Sequence, residues 1–164
     1  MAFESLTDDK IADLLNCPKR LINPQVRPKV IEGRSQLNYR VIAIDGTDYE
    51  FEVYKRQNLR EGMEDDFSCG ISWIAPSGET LTLRRYNGSS HNHPNHLEKV
   101  SLGLNCHIHI ATEKYIKANR KPEGFAEITN RYNTIDGALH CLVTDCKISG
   151  IITESDNLSQ IKLF

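Results

Sequence analysis

Between residues 36 and 86 the chain alternates apolar and polar side chains in short runs split by turn-forming residues, and an antiparallel sheet is the structure that fits such a pattern. Residues 36–44 read as one strand. Asp45-Gly46 follows as a hairpin turn, because glycine accepts positive φ there. Residues 47–54 return as a second strand, with Tyr49, Phe51 and Val53 on one face and Glu50 and Glu52 on the other. Residues 69–75 and 79–86 form a third and a fourth around Pro76-Ser77-Gly78. Residues 106–111 alternate again and make a fifth. The polar run 57–66 reads as a solvated loop. Its acidic stretch lacks the ligand spacing of a calcium-binding EF-hand.

Two segments change period. Thr7 caps a helix whose face carries Ile11, Leu14 and Leu15, and Ile135, Ala138, Leu139, Leu142, Val143 and Cys146 line another, capped by Asn133 or Thr134. A short helical turn fits the stretch up to Arg120, ahead of Pro122. Residues 19–34 read as irregular or weakly extended, and 148–164 as one short strand or a segment that packs down. The expected fold is α+β: an antiparallel β-meander of four to five strands packed by an N-terminal and a C-terminal helix, in a single domain over residues 1–164. No apolar run approaches the ~18 residues of a membrane span. No signal-peptide pattern opens the chain, and five scattered cysteines without a CxxC pair fit a reducing compartment, so a cytoplasmic protein with no membrane partner is expected. GxSxG, P-loop and GxGxxG patterns do not occur.

The chemistry concentrates in histidine. All six lie between positions 91 and 140, and five of them within nineteen residues: His91, His93, His96, His107 and His109. Histidine titrates near neutral pH and is the commonest metal ligand, so clustering points to metal binding or proton transfer. On a strand, His107 and His109 share a face. Ile108 and Ile110 take the opposite one, expected to be the core face with Cys106, which leaves the imidazoles side by side away from the core. The loop before them carries His91, His93, Asn95, His96 and Glu98 and can fold back over that pair. His140, on the last helix, reads as a surface residue, and Trp73 as core.

Two chemistries fit. A zinc site needs three protein ligands and a water, or four ligands, and His107, His109 and His91 offer a set that His93, His96 or Glu98 can also complete. Metal-free RNA cleavage, with no cofactor, needs a base, an acid and a cation. His107, His109, His91, His93 and Glu98 are the candidates for acid–base work, and Arg85, Tyr86, Asn87, Asn95, Lys99 and Lys114 for substrate contacts. Arg84 and Arg85 alternate faces, so one of them points with the histidines.

Arg85-Tyr86-Asn87-Gly88, then His91, His93, Asn95 and Glu98, then His107-Ile108-His109-Ile110 together resemble a little-characterised prokaryotic domain family with an N-terminal helix, a β-meander, a histidine-bearing loop and a His-hydrophobic-His strand. The same run is similar to the TumE-like toxins of toxin–antitoxin modules. The likeness covers residues 81–115, with Cys106 where the family often has proline and Tyr86 where TumE-like proteins have an acidic residue. It implies a toxin-like or defence-associated protein, acting on RNA and paired with a cognate antitoxin. The alternative is a non-catalytic phage or mobile-element inhibitor, such as an anti-CRISPR, that binds a host protein and holds zinc. A third reading is an interaction domain with a pH-sensitive histidine surface. The overall charge of -2 does not exclude an anionic partner, because residues 81–121 carry seven Lys and Arg against two Asp and Glu.

Overall fold

The computed structural model describes residues 3–154. The chain runs α1 (Asp8–Asn16), β1 (Lys19–Leu21), β2 (Lys29–Ile31), β3 (Arg34–Ala43), β4 (Glu50–Asn58), β5 (Phe67–Ile74), β6 (Thr80–Asn87), β7 (Pro94–Asn95), β8 (Val100–Ser101), β9 (His107–Ile110), α2 (Glu113–Lys117), β10 (Phe125–Ile128), α3 (Ile135–Asp145) and β11 (Ile148–Ser149). Among these residues no helix is long and apolar enough to cross a membrane.

The expected meander is present as β3-β4-β5-β6, each pair antiparallel. The sheet is larger than expected. It has nine strands in the order β10-β9-β6-β5-β4-β3-β1-β11, with β2 paired to β3, and β7 and β8 make a separate ribbon. The added strands are two to four residues long and held by backbone pairing, too short to show an alternating pattern. They include β1 and β2, within a stretch read as irregular or weakly extended, and β11, the short strand allowed for from Ile148 on, which runs parallel to β1. The short helical turn expected before Arg120 is a third helix, α2, of five residues capped by Thr112.

One sheet face carries the core. Val41, Phe51, Val53, Cys69, Ile71, Leu81 and Tyr86 are buried there with Ile11, Leu14 and Leu15 of α1 and Ala138, Leu139 and Leu142 of α3. Lys19 is wholly buried in this layer. Its ammonium donates to the carbonyls of Leu15, Cys17 and Cys146 at 2.8–2.9 Å, gathering the C-terminal ends of both helices. The opposite face of β4, β5, β6 and β9 is polar and is covered at one end by the β6–β9 connection, residues 88–106, and by the segment leading into β10.

Candidate metal centre

Strand parity holds: His107 and His109 sit on the face opposite the helices, and Ile108 and Ile110 turn toward the core cluster with Cys106. Burial is the reverse of what parity alone predicts. His107 and His109 are 2% and 4% exposed, whereas Ile108 and Ile110 are only half-buried. The reason is the cover on the histidine face. Leu102 donates to the carbonyl of His93 across the β7–β8 ribbon, and Asn92 accepts from Ser101 and Gly103. Asn95 pairs its side-chain amide with both backbone groups of Ala126 in β10, at 2.8 and 3.0 Å.

That loop geometry brings His93 to the pair. One ring nitrogen from each of His93, His107 and His109 lies within 4.8 Å of the other two. The ring centroids are 4.4–5.5 Å apart. The remaining nitrogen of each ring faces a backbone carbonyl at 2.8 Å: His107 Nδ1 at Asn105, His109 Nδ1 at Glu123 and His93 Nε2 at Gly124. A carbonyl only accepts, so each of these nitrogens carries the proton. For His107 and His109, whose pKa values are lowered, the other nitrogen, Nε2, is then an unprotonated lone pair. A donor to a carbonyl on one side and a lone pair on the other is the arrangement metal-bound imidazoles adopt. Gly124 lets the Tyr115 ring pack against this segment, since a Cβ there would meet that ring at 2.6 Å.

Burial disfavours the protonated form of His107 and His109. It is the largest cause of the lowered His107 pKa, and together with the neighbouring His93, His107 and Arg85 it pushes His109 down to about 3. Arg85 is the cross-strand neighbour of His109 and donates to Glu123 at 3.1 Å. Arg84 points instead to the helix face and Asp145. Asn87 pairs with His107 across the strands. Its Oδ1 accepts from Ser68 at 2.9 Å, which directs its Nδ2 to His107 Nε2 at 3.5 Å.

The other expected site residues lie apart from the triad. His91, expected as the third metal ligand, is exposed and stands 3.8 Å from Asp66. Glu98 accepts from Tyr115 and Lys114 on the far side of α2. Tyr86 is buried among the helices and donates to Asp145 at 2.6 Å. Asn95 ties the loop to β10. Lys99 is exposed at the β7–β8 turn and His96 is exposed nearby. His140 is half-buried, with Nδ1 3.2 Å from Thr153 Oγ1. Two contributors had no signal in the sequence: the carbonyls of Asn105, Glu123 and Gly124, and the buried Glu123 carboxylate held by Arg85 and Lys121.

Comparison with protein-family models, curated proteins and solved structures finds no match. The TumE-like resemblance therefore stands on the quoted residues alone. The geometry shows three histidines, His93, His107 and His109, placed so that they could coordinate one metal ion.

Proposed function

We propose that His93, His107 and His109 hold a zinc-like divalent cation and that this centre hydrolyses the phosphodiester bonds of RNA. One observation carries the metal: each ring holds one nitrogen against a backbone carbonyl, and one nitrogen from each ring lies within 4.8 Å of the other two. Three protein ligands with an open position are the pattern of catalytic rather than structural zinc, and such an ion supplies Lewis acidity and a hydroxide at neutral pH. The chain's own groups do the rest. Backbone carbonyls fix the rings, Arg85 keeps a cation at the edge of the site, and the Asn87 amide, 3.5 Å from His107 Nε2, would have to yield that nitrogen to the ion.

Metal-free acid–base cleavage fits less well. It needs one imidazole that holds a proton near neutral pH, whereas His107 and His109 are buried with lowered pKa values and face two further rings without a carboxylate partner. RNA as substrate is supported by the basic segment 81–121 and by the likeness to TumE-like toxins, which also supports a growth-arresting role checked by a cognate antitoxin.

The test is elemental analysis of protein stripped with chelator and reloaded, paired with cleavage of a labelled RNA oligonucleotide. One zinc per chain and metal-restored cleavage are expected, both lost in His93→Ala, His107→Ala and His109→Ala and both kept in His140→Ala. Failure to bind zinc above background overturns the centre. Full occupancy with intact RNA overturns the hydrolytic reading.

A further inference from the structure

The polar sheet face continues past the triad into a groove of about 490 Å³ that the metal centre does not use. Four cationic side chains line it, Arg34, Arg56, Arg85 and Lys121, against one carboxylate, Asp66. Cross-strand register explains the gathering. Arg56, Ser68, Asn87 and His107 occupy one row across β4, β5, β6 and β9, and Tyr54, Gly70, Arg85 and His109 occupy a second row alongside it. At about 4.8 Å per strand, Arg56 and His107 stand roughly 14 Å apart on one continuous surface.

We propose that this groove binds the sugar-phosphate backbone of single-stranded nucleic acid and leads it to the triad. The proposal deepens the hydrolytic reading by assigning the surface that receives the substrate, but the binding itself requires no metal.

Three features favour a single strand. The cations are spread across the sheet and not around a point: Arg34 on β3, Arg56 on β4, and Arg85 on β6 beside His109, with Lys121 from the segment before β10. The floor between them is neutral, made by Ser68 and by the Tyr54 ring lying over Gly70. Ser68 bonds both Tyr54 and Asn87, and Gly70 lies under the Tyr54 ring, where a Cβ would come within 2.5 Å of it. Tyr54 and Arg56 supply a stacking surface, the guanidinium standing 5.5 Å from the ring centroid. Basic grooves with aromatic platforms are the recurring way proteins hold single strands.

The cations are partly committed, Arg34 to Asp66 and both Arg85 and Lys121 to Glu123, so about two to three phosphates are neutralised on binding. The logarithm of the association constant should then fall against the logarithm of salt with a slope of about -1.4 to -2.1, using about -0.7 per phosphate for single strands.

The experiment is fluorescence anisotropy of a labelled twelve-nucleotide single-stranded RNA with chelator-stripped protein, titrated from 50 to 200 mM NaCl. Binding with the stated slope is expected. Arg56→Ala and Lys121→Ala should each weaken binding at 50 mM and flatten the slope by about 0.7. Lys117→Ala, an equal charge change on α2, should leave both unchanged. Absence of binding by the folded, stripped protein overturns the proposal. So does an equal loss in Lys117→Ala, or a poly-glutamate peptide of matched charge binding as tightly as the RNA. Binding by stripped protein without cleavage after zinc is restored retains the groove and removes only the hydrolytic reading.

Discussion

Zinc added to metal-free protein should raise its melting temperature by an amount the site's geometry bounds. The three inward nitrogens lie within 4.8 Å of one another, and a tetrahedral centre with bonds of about 2.0–2.1 Å needs them about 3.4 Å apart. Closure therefore takes about 1 Å of movement by rings already anchored at their far nitrogens. Burial keeps His107 and His109 unprotonated at neutral pH, so the ion displaces no protons from them. The unfolded chain has no such site. Binding at a hundredfold excess over the dissociation constant then stabilises the native state by about 2.7 kcal/mol. For a domain of this size each kcal/mol shifts the melting temperature by about 2–4 °C, which gives a rise of about 5–11 °C. The assay is thermal unfolding with and without zinc for each protein, so that the cost of a substitution itself cancels. His93→Ala and His109→Ala should lose the rise. A wild-type shift below about 1 °C at saturating zinc, or an undiminished shift in the His93→Ala/His109→Ala double variant, would refute the reasoning.

Asn95→Ala should destabilise the fold by about 2–4 kcal/mol in urea unfolding, because it strands both backbone groups of buried Ala126; it should also weaken zinc binding, since the same amide pins the loop that carries His93. Lys19→Met should cost about 3–5 kcal/mol by the same measurement, as three buried carbonyls lose a charged donor, and an effect under 1 kcal/mol would show that water or repacking satisfies them. Burial alone would raise the Asp145 pKa, but Arg131, Tyr86 and Arg84 outweigh it and hold the carboxyl below its ordinary value. A depressed carboxylate stabilises above the unfolded-state pKa near 3.9, and that contribution is lost as pH falls through the folded value. Wild type should therefore lose stability relative to Asp145→Asn below about pH 4, and parallel stability profiles for the two would contradict the assignment.

The meander and the two long helices were legible because each spans enough residues for its period to repeat: Phe51 and Val53 alternate along nine residues of β4, and α1 shows Ile11, Leu14 and Leu15 on one face. Strands of two to four residues complete no such repeat. Their existence depends on a neighbour's free edge, as β10 depends on β9 and β11 on β1. The histidine pair separates two kinds of information. Period-two alternation placed His107 and His109 on the correct face, but which face is covered depends on a second layer formed by residues 88–106 and 122–124.

The same distinction decides the third ligand. His91 and His93 are two residues apart in one loop and equivalent by composition, so spacing could not choose between them. The choice is made by Asn92 and Asn95. The first fastens the loop to Ser101 and Gly103, and the second fastens it to Ala126, so the residue between them, His93, is carried to the triad, and His91, outside both anchors, faces Asp66. Asn95, read from the sequence as a substrate contact, is thus part of the frame of the site. A ligand hypothesis drawn from a polar loop gains discrimination once the loop's side-chain-to-backbone bonds are known, because these determine which histidine is held in place and which is free.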